Sequence, residues 1–241
     1  MTRFLCVAAL VAAFTTVGCN DKQATNSSAK AQDTATTKAN AEAPAEGTGD
    51  TKETPKASVQ AAKVGEAAPD FELKDLDGKS VKLSDYKGKV VVLEWFNPGC
   101  PFVKAAHKRG SLVDTAKKET AKGVVWLAIN SGAPGKQGHG IEANKQGSTE
   151  FGMTNPVLLD EDGKVGKAYG AKHTPHMFVI DKAGKLAYAG AIDNSPDGEG
   201  ESPKDGKLIN YVEEALSDIA AGKPVRTPTT EAYGCSVKYS S

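Results

Sequence analysis

The stretch "KVVVLEWFNPGCPFVKAAH" (residues 89–107) decides how the rest of the chain is interpreted. Its first eight residues are mostly β-branched, apolar or aromatic, a run long enough for a strand buried on both faces. An asparagine-proline-glycine turn follows, and residues 101 to about 120 have a helical composition. "VVWLAIN" (124–130) predicts the next buried strand. Strand, helix and strand together predict a βαβ unit with parallel strands, and Cys100 stands between its first strand and its helix.

Turn residues and alternating patterns predict further elements around this unit. They are a hairpin turning at Asp77-Gly78, a long insertion at 131–148 with one helical turn, a strand at 156–160, a turn and short helix at 162–170, a hairpin of residues 176–181 and 185–191, and a helix at 207–222 whose apolar face includes Leu208. The chain has no glycine-rich phosphate loop, and we expect no cofactor.

Two segments resemble the thioredoxin-like fold in its redoxin branch, the group of alkyl hydroperoxide reductases and thiol-specific antioxidants. "GEAAPDFELKDLDGKSVKLSDYKGKVVVLEWF" (65–96) is similar to the opening of that branch, and "HTPHMFVID" (173–181) to the segment that carries the cis-proline of the fold, here Pro175. The resemblance covers residues 64–222. It implies an α/β thioredoxin-like domain with a central mixed β-sheet flanked by helices and an N-terminal β-hairpin extension. It also implies a thiol-dependent oxidoreductase or antioxidant.

The N-terminal part of the chain has the pattern of a targeting segment and a tether. One arginine and an apolar stretch before Gly18 are typical of an export signal, residues 1–18. "TVGC" (16–19) also resembles a lipobox, in which Cys19 is acylated and becomes the first residue of the mature protein. A secretory peptide cut near Gly18 is the alternative. Residues 19–63 have no aromatic residue and almost no large aliphatic ones, which predicts a disordered tether.

These features predict an exported protein of the periplasm or cell envelope, tethered to the membrane, in a compartment where disulfides persist. The chain has 30 basic and 30 acidic residues and a formal net charge of +0. Because the basic residues are scattered, we expect no nucleic-acid partner.

Two cysteines remain for the folded domain. Of the four cysteines, Cys6 leaves with the signal and Cys19 is the lipidation candidate, so Cys100 and Cys235 are left. Three arrangements are open: Cys235 resolves a mixed disulfide on Cys100, bonds to it permanently as a staple, or stays unpaired. Apolar residues surround Cys235 in the C-terminal tail (223–241) and predict that the tail docks and brings Cys235 toward Cys100.

Cys100 has the position of an activated thiol. A thiol in the first turn of a helix faces unpaired backbone N–H groups and the positive end of the helix dipole, which favour the thiolate. The alternative is a small buried hydrophobic residue, but the turn residues before Cys100 favour a nucleophile. The resemblance implies a cis Thr174-Pro175 bond that leaves the Thr174 backbone free to pair with an extended substrate. We therefore expect Asn97, Thr174 and Pro175 to contact the substrate.

The chain departs from the family pattern at three positions. Val103 stands where thioredoxin active sites have their second cysteine, so Cys100 has no resolving partner on its own helix. Leu93 and Asn97 stand where peroxiredoxins have the proline and the threonine or serine that shape the peroxide pocket. Strong peroxidase activity is therefore not expected.

The chain has four histidines, which are candidates to bind a metal ion or to shift the pKa of Cys100. His173 and His176 flank Pro175, so one of them is a candidate to tune the pKa of Cys100. His107 is expected at the surface, and Trp95, Phe96 and Trp126 in the core or the pocket wall. Copper-binding relatives of the fold carry a paired-cysteine motif that this chain lacks, so no metal is expected.

Two hypotheses follow. The first is an exported thiol–disulfide oxidoreductase or weak thiol peroxidase, with Cys100 as nucleophile, Cys235 as resolving cysteine, a protein or small-molecule disulfide or a peroxide as substrate, and a reducing partner. The second is a non-catalytic binding or structural lipoprotein with a permanent Cys100–Cys235 disulfide.

Overall fold

The structure is a computed structural model that describes residues 61–241. The predicted signal peptide, Cys19 and the tether as far as residue 60 lie outside the described residues. The last residues assigned to the tether belong to the folded body, because the Ala62 backbone N–H donates to the Ala168 carbonyl at 2.8 Å. No helix of the described part is long and apolar enough to cross a membrane.

The described chain alternates strands and helices. The strands are β1 (Glu72–Asp75), β2 (Ser80–Lys82), β3 (Val91–Trp95), β4 (Val125–Asn130), β5 (Val157–Leu159), β6 (His173–Thr174), β7 (His176–Ile180), β8 (Leu186–Gly190) and β9 (Cys235–Ser236). The helices are α1 (Pro101–Lys108), α2 (Thr115–Thr120), α3 (Ile141–Glu150), α4 (Lys164–Tyr169) and α5 (Tyr211–Ala220). A 3-10 turn at Leu83–Tyr86 leads from β2 toward β3.

Seven strands form one mixed sheet in the order β2-β1-β5-β4-β3-β7-β8. β3 and β4 are parallel, as are β4 and β5, while β7 and β8 add an antiparallel hairpin to the other side of β3. The β1–β2 hairpin extends the opposite edge by pairing antiparallel with β5. The predicted fold class and βαβ unit are therefore confirmed.

The central strand β3 is buried on both faces because it separates two hydrophobic clusters. Its odd-numbered residues pack with α4 and the N-terminal hairpin, whereas Val92 packs on the other face with α1 and α5. Trp95 is fully buried, and its Nε1–H donates to the Ser131 hydroxyl at 3.0 Å. Trp126 and Phe96 are also buried, as predicted. This packing fixes the end of β3, from which the turn to Cys100 departs.

Three helix predictions differ from the structure. The helix expected at 101–120 is two helices, α1 and α2, separated by a segment that contains Gly110. Glycine disfavours helix continuation, and a larger residue does not fit here because its Cβ would stand 2.2 Å from the Gly198 carbonyl oxygen. The insertion at 131–148 contains most of α3, a three-turn helix in place of one turn, whose Gly147 lies close against Pro98. Leu208 precedes α5 and is 42% exposed, so the helix is shorter than its predicted apolar face.

The surface position expected for His107 is wrong. His107 is buried, and its Nε2 lies 2.7 Å from the Glu94 carboxylate on β3. Trp126 Nε1–H donates to the other carboxylate oxygen of Glu94 at 2.9 Å, and the His107 ring stacks on Phe151. The physical reason is that α1 turns its inward face onto the one acidic residue of β3, which needs a buried partner.

Candidate active site around Cys100 and Cys235

Cys100 lies at the end of a turn that its neighbours hold in place. The Asn97 side-chain oxygen accepts a hydrogen bond from the Gly99 N–H at 2.8 Å, and the Cys100 N–H donates to the Asn97 carbonyl at 3.0 Å. Asn97 is 2% exposed, and its amide group donates to the Gln137 carbonyl at 3.1 Å. Asn97 therefore positions the Cys100 turn, while a direct contact of Asn97 with substrate stays a prediction.

The Cys100 side chain is fully buried at the N-terminus of α1. Cys100 is the N-cap residue of this helix, with Pro101 in the first helical position. Its sulfur donates a hydrogen bond to the Thr174 carbonyl at 3.1 Å, and its exposed fraction is 0%. Val103, at the position of a second active-site cysteine, is buried in the same apolar cluster. No second thiol on α1 can reach Cys100.

The Thr174-Pro175 peptide bond is cis, as predicted. The expectation that the Thr174 backbone is free is wrong, because β6 pairs antiparallel with β9 in the register His173↔Ser236 and Thr174↔Cys235. The C-terminal tail of the chain thus pairs with the Thr174 backbone, where an extended substrate was expected to pair. A two-residue strand has no periodic signal in the sequence, and the register could not be predicted.

The tail docks through the residues around Cys235. The Tyr233 ring lies 6.4 Å from the Phe102 ring, and its hydroxyl donates to the buried Asp193 carboxylate at 2.7 Å. The Val237 N–H donates to the Lys172 carbonyl at 3.0 Å, and the Tyr239 hydroxyl donates to the Ala171 carbonyl at 2.8 Å. The predicted docking is confirmed.

Gly234 allows the close approach of the tail to the cis-proline loop. A Cβ on Gly234 would stand 2.3 Å from the Thr174 carbonyl oxygen, and its φ of 109° is one that other residues rarely adopt. The Gly234 carbonyl also lies 3.2 Å from His173 Nδ1. Because Gly234 comes directly before Cys235, this close approach places the Cys235 thiol beside Cys100.

Cys100 and Cys235 form no disulfide in the structure, and the Cys235 side chain packs against the apolar cluster that contains Cys100. Burial raises the pKa of Cys100, but the hydrogen bonds that the Cys235 thiol, the Thr174 hydroxyl and the Val103 and Cys235 N–H groups can donate to its thiolate outweigh burial, so that the pKa lies below the ordinary value. Burial and the neighbouring Cys100 raise the pKa of Cys235. Cys100 is therefore the more acidic thiol of the two, and Cys235 is half-buried beside it.

The hydroxyl group of Thr174 is a polar group of the site whose role the sequence analysis did not predict. The Thr174 hydroxyl is buried without a hydrogen-bond partner in the thiol form, which leaves it free to donate to a Cys100 thiolate. The "TP" dipeptide located Thr174 beside the cysteine. The sequence does not indicate whether the Thr174 hydroxyl has a hydrogen-bond partner.

Within residues 61–241, neither His173 nor His176 forms a hydrogen bond with Cys100 or Cys235. His176 lies against the Phe178 ring, and burial lowers the pKa of His176 to about 4, with help from His173 and Lys172, so it is neutral at physiological pH. Neither His173 nor His176 is among the groups that shift the pKa of Cys100 most. Across residues 61–241, no group of three or more His, Cys, Asp or Glu side chains could hold a metal ion.

Comparison with known proteins gives a consistent picture. The Redoxin family model matches residues 63–205. A protein named thiol-disulfide oxidoreductase ResA from Geobacillus thermodenitrificans is 37% identical over 128 residues, which cover 52% of this chain and 68% of the relative. A protein of the same name from Geobacillus kaustophilus is 36% identical over 127 residues, again 52% and 68% of the two chains.

Two solved structures resemble this one over most of its length. A hypothetical protein from Sinorhizobium meliloti 1021 aligns with a TM-score of 0.64 and 26% identity, over 76% of this chain and 97% of that chain. An uncharacterized conserved protein from Geobacillus kaustophilus aligns with a TM-score of 0.63 and 33% identity, over 74% and 93%.

Proposed function

Because this chain belongs to the redoxin family, we propose that it is a thiol–disulfide oxidoreductase whose redox pair is Cys100 and Cys235. The observation that supports the pair is the contact of the two thiols, with the pKa of Cys100 lowered and that of Cys235 raised. With this difference in pKa, Cys100 is the nucleophile and Cys235 is the resolving thiol.

The reaction proceeds in two exchanges. The Cys100 thiolate attacks one sulfur of a substrate disulfide, so that a mixed disulfide forms and the first substrate sulfur leaves as a thiolate. Cys235 then loses its proton to solvent and attacks the Cys100 sulfur. This step forms the Cys100–Cys235 disulfide and releases the second substrate sulfur. The substrate gains two electrons, the protein loses two, and a dithiol partner restores the reduced protein.

The surroundings of the pair have defined roles in this proposal. The N-terminus of α1 and the Thr174 hydroxyl stabilise the Cys100 thiolate, and Asn97 holds the turn that carries it. Thr174 and Pro175 form the platform beside which the substrate sulfur is presented. The positions Leu93 and Asn97 differ from the peroxide-binding residues of peroxiredoxins, which favours a disulfide over a peroxide as substrate.

Export and membrane attachment complete the proposal. The apolar segment before Cys19 and the "TVGC" sequence favour an exported lipoprotein tethered through Cys19 in the periplasm or cell envelope. The intact mass of the mature protein tests this part, since an acylated Cys19 as first residue is expected. An unmodified N-terminus would contradict lipid attachment.

Replacing Cys235 by serine is expected to trap the first intermediate. Without a resolving thiol, the mixed disulfide on Cys100 should accumulate, and turnover of a protein disulfide with a dithiol reductant should fall about tenfold or more. Peptide mass spectrometry after addition of a model disulfide reads the adduct on Cys100. Cys100→Ser is the matched control and should carry no adduct on Cys235. A permanent staple predicts instead that the wild-type disulfide resists a dithiol under native conditions and that Cys235→Ser traps nothing.

Thiolate formation is expected at lower pH in the folded than in the unfolded protein. Because hydrogen bonds to the sulfur hold the pKa of Cys100 below the ordinary value of about 8.5, the ultraviolet absorbance of the thiolate should appear below that pH. Thr174→Val removes one donor and should move the midpoint upward, while Thr174→Ser should keep it. A wild-type midpoint at or above that of the unfolded chain would contradict the activated thiolate.

A further inference from the structure

Cys100 is covered by the tail of its own chain. Its exposed fraction is 0% at the start of α1. The Cys235 thiol and N–H contact its sulfur, and a Cβ on Gly234 would stand 3.4 Å from the Phe102 side chain. A disulfide in another molecule cannot reach Cys100 while the tail is in this position.

The tail covers Cys100 by strand addition at the edge of β6. The pairing of Thr174 with Cys235 and of His173 with Ser236 gives the tail the geometry of an extended peptide bound at a sheet edge, with its cysteine against the nucleophile. In this position the tail is extended and paired with β6, as an extended peptide substrate would be. It also uses the backbone groups with which a substrate would pair.

The contacts divide the tail into a segment before Tyr233, held by Thr230, and a segment from Gly234 onward, held by its own contacts. The segment before Tyr233 is fixed by Thr230, whose hydroxyl accepts from the Ala191 N–H at 2.9 Å and whose N–H donates to the Ala189 carbonyl at 3.2 Å. From Gly234 onward the chain is held by a two-residue strand, by the backbone of Val237 and Lys238, and by the Tyr239 side chain. A two-residue strand at a sheet edge is the kind of element that opens locally, even though Val237 and Tyr239 pack against the core.

We propose that residues 234–241, here called the latch, are a built-in substrate mimic that must leave β6 before Cys100 can attack a disulfide in another molecule. This inference rests on the proposed function. In the reduced protein the latch is held only by its non-covalent contacts and opens locally. In the oxidised protein the Cys100–Cys235 bond fixes the latch over the site, so that the product is expelled and the peptide-binding edge is closed until a dithiol cleaves the bond.

Labelling of Cys100 in the reduced full chain tests the latch. Gly234→Ala places a methyl group against the Thr174 carbonyl and should open the latch. The labelling rate of Cys100 with a polymer-linked maleimide, read by peptide mass spectrometry, should then rise about tenfold or more. Gly222→Ala is the matched control, since Gly222 has a φ of 66° but nothing near its Cβ position. Equal rates in the two variants would overturn the proposal.

A peptide added in trans gives the second arm of this test. The peptide EAYGSSVKY, residues 231–239 with Ser in place of Cys235, should slow Cys100 labelling in Gly234→Ala by refilling the edge of β6. The same peptide with Ala in place of Gly234 should have no effect. Equal protection by both peptides, or by neither, would contradict a strand-addition site.

Hydrogen exchange in the wild-type protein keeps the proposal testable if Gly234→Ala does not fold. The Val237 N–H, bonded to the Lys172 carbonyl, should exchange faster than the β3 amides in the reduced protein and should slow after oxidation. Exchange as slow as that of β3 in both states would overturn the latch. These readouts do not depend on turnover. A failed latch leaves reversible disulfide formation between Cys100 and Cys235 intact, whereas failure of the proposed function leaves either no disulfide between them or one that a dithiol does not cleave.

Discussion

Replacing Cys100 by serine is expected to lower disulfide-reducing turnover by about 10³-fold or more, because the variant loses the nucleophile that forms the covalent intermediate. The serine hydroxyl can still donate to the Thr174 carbonyl, so the fold around the turn should persist. Dithiol-driven reduction of a protein disulfide measures the effect, and an unchanged thermal midpoint shows that folding is retained.

Ser217→Ala, on the exposed face of α5, is the control and should keep full turnover. Activity of Cys100→Ser close to that of the wild type would mean that Cys235 or a cysteine outside the described residues carries the reaction. It would exclude Cys100 as the nucleophile.

Replacing His107 by leucine is expected to lower the free energy of unfolding by about 3–5 kcal/mol, the cost of leaving a buried charge without its partner. The Glu94 carboxylate is 0% exposed and would keep only the hydrogen bond from Trp126. Urea unfolding at neutral pH measures the loss by linear extrapolation.

The double variant Glu94→Gln, His107→Leu tests the cause of this loss. Glutamine removes the charge and keeps an oxygen that can accept from Trp126, so most of the lost stability should return. A loss in His107→Leu below about 1 kcal/mol, or a double variant as unstable as the single one, would show that the pair does not stabilise the fold by this mechanism.

The sequence predicted the fold well where a pattern has a local cause. The β-branched run before Cys100 predicted β3, and the second apolar run predicted its parallel partner β4, since both strands are buried on both faces. The cis Thr174-Pro175 bond followed from the resemblance. These features depend on residues close together in the chain.

Features that depend on distant contacts were not predicted. The Glu94–His107 pair joins a strand to a helix 13 residues on, and nothing in the apolar pattern of β3 shows which neighbour meets the carboxylate. α3 contains Gly147 and few apolar residues, and it is held by Asn144 and by its approach to Pro98. The pairing of β6 with β9 joins Thr174 to Cys235, 61 positions further along the chain, and involves only two residues on each strand.

The chemistry of Cys100 was predicted in part. Its place at the start of α1 indicated a stabilised thiolate, and the apolar residues of the tail indicated that Cys235 approaches it. The burial of Cys100 was not predicted, because the turn residues Asn97, Pro98 and Gly99 favour an accessible loop tip when the tail is left out. In the structure Asn97 and Pro98 are themselves buried, and Cys235 of the docked tail packs against the cluster that contains Cys100.

The central claim, that Cys100 and Cys235 are a reversible redox pair, is tested most directly by disulfide mapping of the wild-type protein. The reduced protein is mixed with one equivalent of a protein disulfide, quenched with acid and digested, and a second sample is treated with a dithiol before quenching. We predict a peptide linked through Cys100 and Cys235 in the first sample and two free thiols at these positions in the second. Two free thiols in the first sample, or a link that survives the dithiol under native conditions, would contradict the redox pair.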